Sequence, residues 1–103
     1  MRRILITLLT LASLCLFASA AFAADGASLY KRCAGCHGAD GSTAGPPAGD
    51  EAIKGHSAED IEKMLIGYQE GTFGGPKKTI MQRMVKSLSK DQIKQLAEHI
   101  ATF

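Results

Sequence analysis

Cys33 and Cys36 stand three residues apart with His37 directly after them, and nothing else in this 103-residue chain narrows its folded state as much. Their weight becomes clear once the N-terminus is set aside. Arg2 and Arg3 precede an apolar run from Ile4 to Phe17, and Ala21-Phe22-Ala23 offers a small-x-small exit. A charged start, a short apolar core and a small-residue exit mark a secretory signal peptide. A membrane anchor is the rival reading, since the run nearly reaches the ~20 residues a spanning helix needs. No charged stop-transfer flank follows it, and the bulk of Leu14 argues against lipidation at Cys15. The expectation is therefore residues 1–23 as a cleaved signal peptide and residues 24–103 as one domain.

Cleavage removes two of the twelve basic residues and none of the ten acidic ones, leaving a formally neutral domain. Bulk charge then gives no basis for nucleic-acid binding, and electrostatic docking must come from a local patch. The domain has no Trp, and Cys15 leaves with the signal segment. Below roughly 80 residues an apolar core rarely supplies more than a few kcal/mol, so small domains add staples or a cofactor. A disulfide between Cys33 and Cys36 would close a tiny loop and restrain little of the unfolded chain. Something else must fill the core.

The pattern predicts four helices and no strand. The first covers about Gly26 to Arg32, capped by Asp25, and runs into Cys33. From Gly38 to Gly55 the composition turns to Gly, Pro, Ala, Ser and Asp, a long irregular loop with turn signals at Asp40-Gly41 and Gly45-Pro46-Pro47. Ser57 opens a second helix whose stripe is Ile61, Met64, Leu65 and Tyr68, and which stops at Gly71. A short third helix follows over about Thr79 to Lys86. Ser89 caps the last, with Gln92 at the reciprocal position and Ile93, Leu96, Ala97 and Ile100 facing inward.

Two thiols at this spacing on a helix can add to the two vinyl groups along one side of a haem. The following histidine then reaches the iron from one face. Cys-x-x-Cys-His in an exported chain reads as c-type haem attachment. A thioredoxin-like pair would sit in a βαβ unit, and no strand pattern exists here. Structural zinc needs four ligands, usually in two separated pairs. Only His56 and His99 could complete such a set, and they form no recognisable pair.

The far side of the iron decides between an open site and a closed electron-transfer site. The candidates are Met64, Met81, Met84, His56 and His99. Met64 falls in the stripe of the second helix and reads as core filler. His99 reads as a surface residue and His56 as a solvated turn residue before the Ser57 cap. Met81 and Met84 are three apart and share a helix face, so pattern alone favours neither.

Ala24 to Lys31, then Cys33-Ala34-Gly35-Cys36-His37-Gly38-Ala39-Asp40-Gly41-Ser42, resemble the start of the small class I cytochromes c, nearest to the cytochrome c-553 group of sulfate-reducing bacteria. The likeness continues through Gly67-Tyr68, Gly71, Phe73-Gly74-Gly75, Lys78 and Leu96-Ala97, and so spans the predicted domain. It implies an all-α class I cytochrome c fold, with N- and C-terminal helices packed around a covalently bound haem. It also places the methionine ligand a fixed short distance before a Ser-capped last helix, which matches Met81 and not Met84. The family's loop carbonyl that accepts from the iron-bound histidine's ring N–H falls at Pro46, although Ala48 stands where Leu is usual. Phe73 resembles an aromatic position lining the haem crevice. Tyr30 and Tyr68 are open between core packing and a haem-propionate hydrogen bond.

The resemblance implies a monomeric, monohaem, periplasmic single-electron carrier, not an enzyme, whose partners are dehydrogenases or oxidases. Lys54, Lys63, Lys77, Lys78 and Arg83 form a candidate basic ring for an acidic partner, or are ordinary solubility residues. An open-site haem sensor or peroxidase-like protein is the alternative if Met81 does not bind iron.

Overall fold

The computed structural model describes residues 25–46, 48–76 and 78–103. The predicted signal segment lies outside the described residues, as do Pro47 and Lys77. The elements are α1 (residues 25–37), α2 (Ala58–Glu70), α3 (Lys78–Val85) and α4 (Lys90–Ile100). Extended pairing among the described residues is limited to an isolated bridge between Gly45 and Gly49.

The caps behave as the side chains dictate. Ser57 Oγ accepts from the Asp60 N–H at 3.1 Å, which satisfies one of the four N–H groups that a helix start leaves unpaired. At the other end of α2, Gly71 adopts φ 75° and turns the chain out of the helix. Ser89 and Gln92 form a full capping box on α4, with bonds of 3.1 and 2.9 Å. The predicted stripe of α4 is buried at every position, from Ile93 to Ile100.

Helix α1 departs from its predicted bounds at both ends. Asp25 is already helical, so it is not the cap, and the helix runs on through Cys33, Cys36 and His37. Nothing in Cys33-Ala34-Gly35-Cys36 is a strong helix breaker, and the ladder continues until Gly38 donates to Ala34 at 2.9 Å. Gly38 itself takes φ 87°, a left-handed turn that ends the helix.

The first and last helices meet at Gly26. A β-carbon there would lie 2.5 Å from the Gln95 carbonyl oxygen and 3.0 Å from His99 Cβ. Only glycine allows that approach. Alongside, the Tyr30 ring packs edge-on against Phe103 with centroids 4.8 Å apart, and His99 joins the pair at 5.2 Å from Phe103. His99 is thus half-buried in an aromatic corner instead of lying on the surface as expected. Helix α2 packs against both α3 and α4. Ile61, Leu65, Val85, Leu88, Ile93 and Leu96 form the core between them.

Candidate functional site

A cavity of about 390 Å³ lies between the C-terminal half of α1, the loop around residues 48–56, α2 and α3. Its walls are mainly apolar. Cys33 and His37 reach it together, because residues four apart share a helix face. Cys36, one residue before His37, is turned about 100° around the helix and lies outside the cavity walls, half-buried. The two cysteines are not joined to each other by a disulfide. Burial pushes the Cys33 thiol pKa up, opposed by Arg32 and reinforced by Cys36. Among the described residues no three His, Cys, Asp or Glu side chains gather as a metal cluster, so the zinc reading finds no support there.

His37 is the one buried polar side chain among the described residues, 8% exposed. Burial holds its ring below the usual histidine pKa, so at neutral pH the imidazole keeps a lone pair that a metal can use. Its Nδ1 is buried with no hydrogen-bond partner. An orphaned buried nitrogen costs free energy of the order of 1–3 kcal/mol, so it calls for a partner; among the described residues Gln95 Oε1 is left in the same condition. A neutral, buried imidazole and a thiol on one wall of an apolar cavity fit a haem.

The bond expected from Pro46 is not formed. Pro46 is exposed and outside the cavity walls. The physical reason is local: Gly45 N–H donates to the Gly49 carbonyl at 2.5 Å, closing a turn that holds Pro46 within it. The histidine's backbone is tied to the same loop, with Thr43 N–H donating to His37 O at 3.1 Å.

Across the cavity, Met81 and Met84 both contribute from α3, half-buried. Geometry leaves the choice between them where the residue pattern left it. Met64 also lines the cavity while packing on the core. Tyr68 and Phe73 stand together on the wall, edge to face at 5.1 Å. Phe73 sits against the bare backbone of Gly67, where a β-carbon would lie 2.6 Å from the Phe73 Cβ. At 42% exposure Phe73 marks the cavity mouth. Burial raises the Tyr68 pKa.

Tyr30 resolves towards packing. It is 4% exposed, lies outside the cavity walls, and its hydroxyl donates to Gly38 O at 2.5 Å. Sequence reasoning missed several wall residues, among them Arg32, His56 and the loop residues Asp50, Glu51 and Ile53. Arg32 carried a signal in its place directly before Cys33. His56 was expected in solvent, but the loop folds back and half-buries it.

The profile of the family described as Cytochrome c matches residues 23–103. Cytochrome c-553 of Nitratidesulfovibrio vulgaris is 46% identical over 101 residues, covering 98% of each chain. Cytochrome c-553 of Desulfomicrobium norvegicum is 53% identical over 79 residues, 76% of this chain and 95% of that one. Cytochrome c-553 of Helicobacter pylori is 37% identical over 87 residues, covering 84% and 85%. With the all-α fold and the paired thiols, these likenesses establish that the chain belongs to the cytochrome c family, close to cytochrome c-553: a monohaem electron carrier, not an enzyme, with one haem c bound covalently through Cys33 and Cys36.

Proposed function

We propose that the chain carries single electrons between redox enzymes in the periplasm, with His37 and Met81 as the two axial ligands of its haem. One observation supports a closed iron site: His37 from α1 and both methionines of α3, Met81 and Met84, line the same cavity. Met81 also stands eight residues before the Ser89 cap, where the class I pattern has its methionine. Bound haem supplies the one-electron chemistry. The chain's own residues anchor it, exclude water and set its surroundings. Tyr68 and Phe73 shield the mouth, and Met64 and Leu65 line the interior.

A periplasmic location is supported by the N-terminal pattern of residues 1–23. No helix among the described residues is long and apolar enough to cross a membrane.

Docking is supported by an uneven charge distribution. Residues 71–90 hold five Lys or Arg and no Asp or Glu, while residues 38–62 hold six Asp or Glu and one Lys. The neutral domain is therefore a dipole across its cavity. Two members of the candidate basic ring are already engaged: Lys54 pairs with Asp40 at 3.3 Å and Lys63 with Glu59 at 3.2 Å. The α3 side, with Lys78 and Arg83 beside the exposed Phe73 and Ile80, fits an acidic partner face. Reduction by such a partner should slow as salt rises, and Arg83→Glu should slow it at low salt. An unchanged rate in both would sink this docking face.

The ligand assignment is tested by oxidised visible spectra of wild type, Met81→Ala and Met84→Ala. The thioether–iron charge-transfer band should vanish only in the Met81 variant. Loss in the Met84 variant alone transfers the role to that residue, which the cavity also accommodates. Rapid stoichiometric carbon monoxide binding by the ferrous wild type would instead indicate an open site.

A further inference from the structure

Helix α3 has eight residues, Lys78–Val85, fewer than the ~12–15 that an isolated helix needs to be even marginally stable in water. Both candidate methionines ride on it. Something outside the helix must set where it sits. At its N-terminal end Lys78 N–H donates to Gly75 O at 3.0 Å and Lys78 Nζ to Gly71 O at 3.4 Å, so the helix is tied there to its own preceding loop.

Its C-terminal end is held differently. The last carbonyls of a helix have no partner within it. Val85 O is one of these, and it accepts from Gln69 Nε2 at 2.7 Å. The same amide nitrogen donates to Leu88 O at 2.8 Å. Gln69 is the last residue but one of α2, half-buried. Its two N–H groups are thus both spent on the turn that joins α3 to α4. The amide can be oriented only one way, because both neighbours are acceptors. Val85 and Leu88 are core residues at 2% and 8% exposure, so water is a poor substitute for the missing donors.

We infer that Gln69 is a positioning residue for the methionine side of the haem: its amide pins the α3–α4 turn to α2 and so sets the height and rotation of the helix turn that presents Met81. Val85 lies four residues after Met81, one turn along the same face. Without the Gln69 amide the Val85 carbonyl keeps only the 3.1 Å bond from Leu88 N–H, within the turn itself, and the turn that bears the thioether loosens before the core is disturbed. The inference rests on a methionine of α3 binding iron.

The test uses the oxidised holoprotein in urea, followed by the thioether–iron band and by far-ultraviolet circular dichroism. Gln69→Leu keeps side-chain bulk and removes both donors. It should lose the band at lower urea than wild type, with about a tenfold larger detached fraction at a fixed sub-denaturing urea concentration, as expected for one or two lost buried hydrogen bonds. The helical signal should move far less. Gln69→Lys retains donors and should bring the band midpoint back towards wild type. If band and helix midpoints shift together, or neither shifts, Gln69 is only structural and the inference fails. Should Gln69→Leu not fold, Gln69→Glu at neutral pH replaces both donors by acceptors and is read by the same two signals. Failure of the ligand assignment is separable: a band that survives Met81→Ala overturns Met81 alone, since Met84 sits on the same turn.

Discussion

The two sides of the haem cavity are built on different principles. On the α1 side, thiols and histidine lie on one helix, and that helix is clamped to α4 through a backbone contact at Gly26 that leaves no room for a side chain. On the α3 side, the methionines ride on a helix of two turns whose placement depends on a loop and a distant glutamine. The difference teaches where rigidity comes from. A covalent anchor with tight helix crossing resists displacement, while a ligand held through a few hydrogen bonds can be detached without unfolding the rest.

The largest effect should come from removing the anchor. Cys33→Ala/Cys36→Ala made without haem should show no cooperative thermal transition by circular dichroism, because the cavity would leave the small apolar core unfilled. A sharp transition would show that the crossing of α1 and α4 suffices alone. Next comes the crossing itself. Gly26→Val should destabilise the holoprotein by about 1–3 kcal/mol in urea melts, since the obstacle is a backbone carbonyl that cannot move aside. The control is Gly35 on the same helix, which is exposed and where an added β-carbon would meet nothing within 4 Å. Gly35→Ala should stabilise by about 0.5–1 kcal/mol, the ordinary helix gain over glycine. Equal signs for the two would mean that the crossing is looser than its distances indicate.

A smaller effect probes the mouth. Burial raises the Tyr68 pKa above its ordinary 10.0. The folded state therefore holds that proton more tightly than the unfolded state. Its stabilising contribution is complete below pH about 10 and is lost as pH rises through the folded-state pKa. Tyr68→Phe should lose less stability between neutral and alkaline pH than wild type in paired urea melts. Parallel losses would place the phenol in solvent. Tyr30, whose pKa is also raised, supplies the residual slope.

Much of this was legible because it is local. Ser57, Ser89 and Gln92 cap where their spacing predicts, and the stripe of α4 is buried as a 3.6-residue period requires. Cys33 and His37 reach the cavity because four residues make a turn. The bounds of α1 were less legible, since a helix that continues through Ala-Gly carries no stop signal before Gly38. Pro46 was not legible from position alone: it sits in the exposed turn closed by the Gly45–Gly49 bridge, and His37 Nδ1 has no partner there. Gln69 had no signal at all. Its partners lie 16 and 19 residues away, and nothing in a helix's own pattern says that one of its polar side chains will complete another helix.

The contact at Gly26 also orders events in time. Its partner, Gln95, belongs to the last helix, and Phe103 closes against Tyr30 at the very end of the chain. Joining distant ends is entropically slow compared with forming local turns. A chain emerging from its N-terminus therefore presents Cys33 and Cys36 before the helix that crosses α1 exists. The crossing cannot form before the last helix is present, and until it forms the thiols stay open to attachment chemistry.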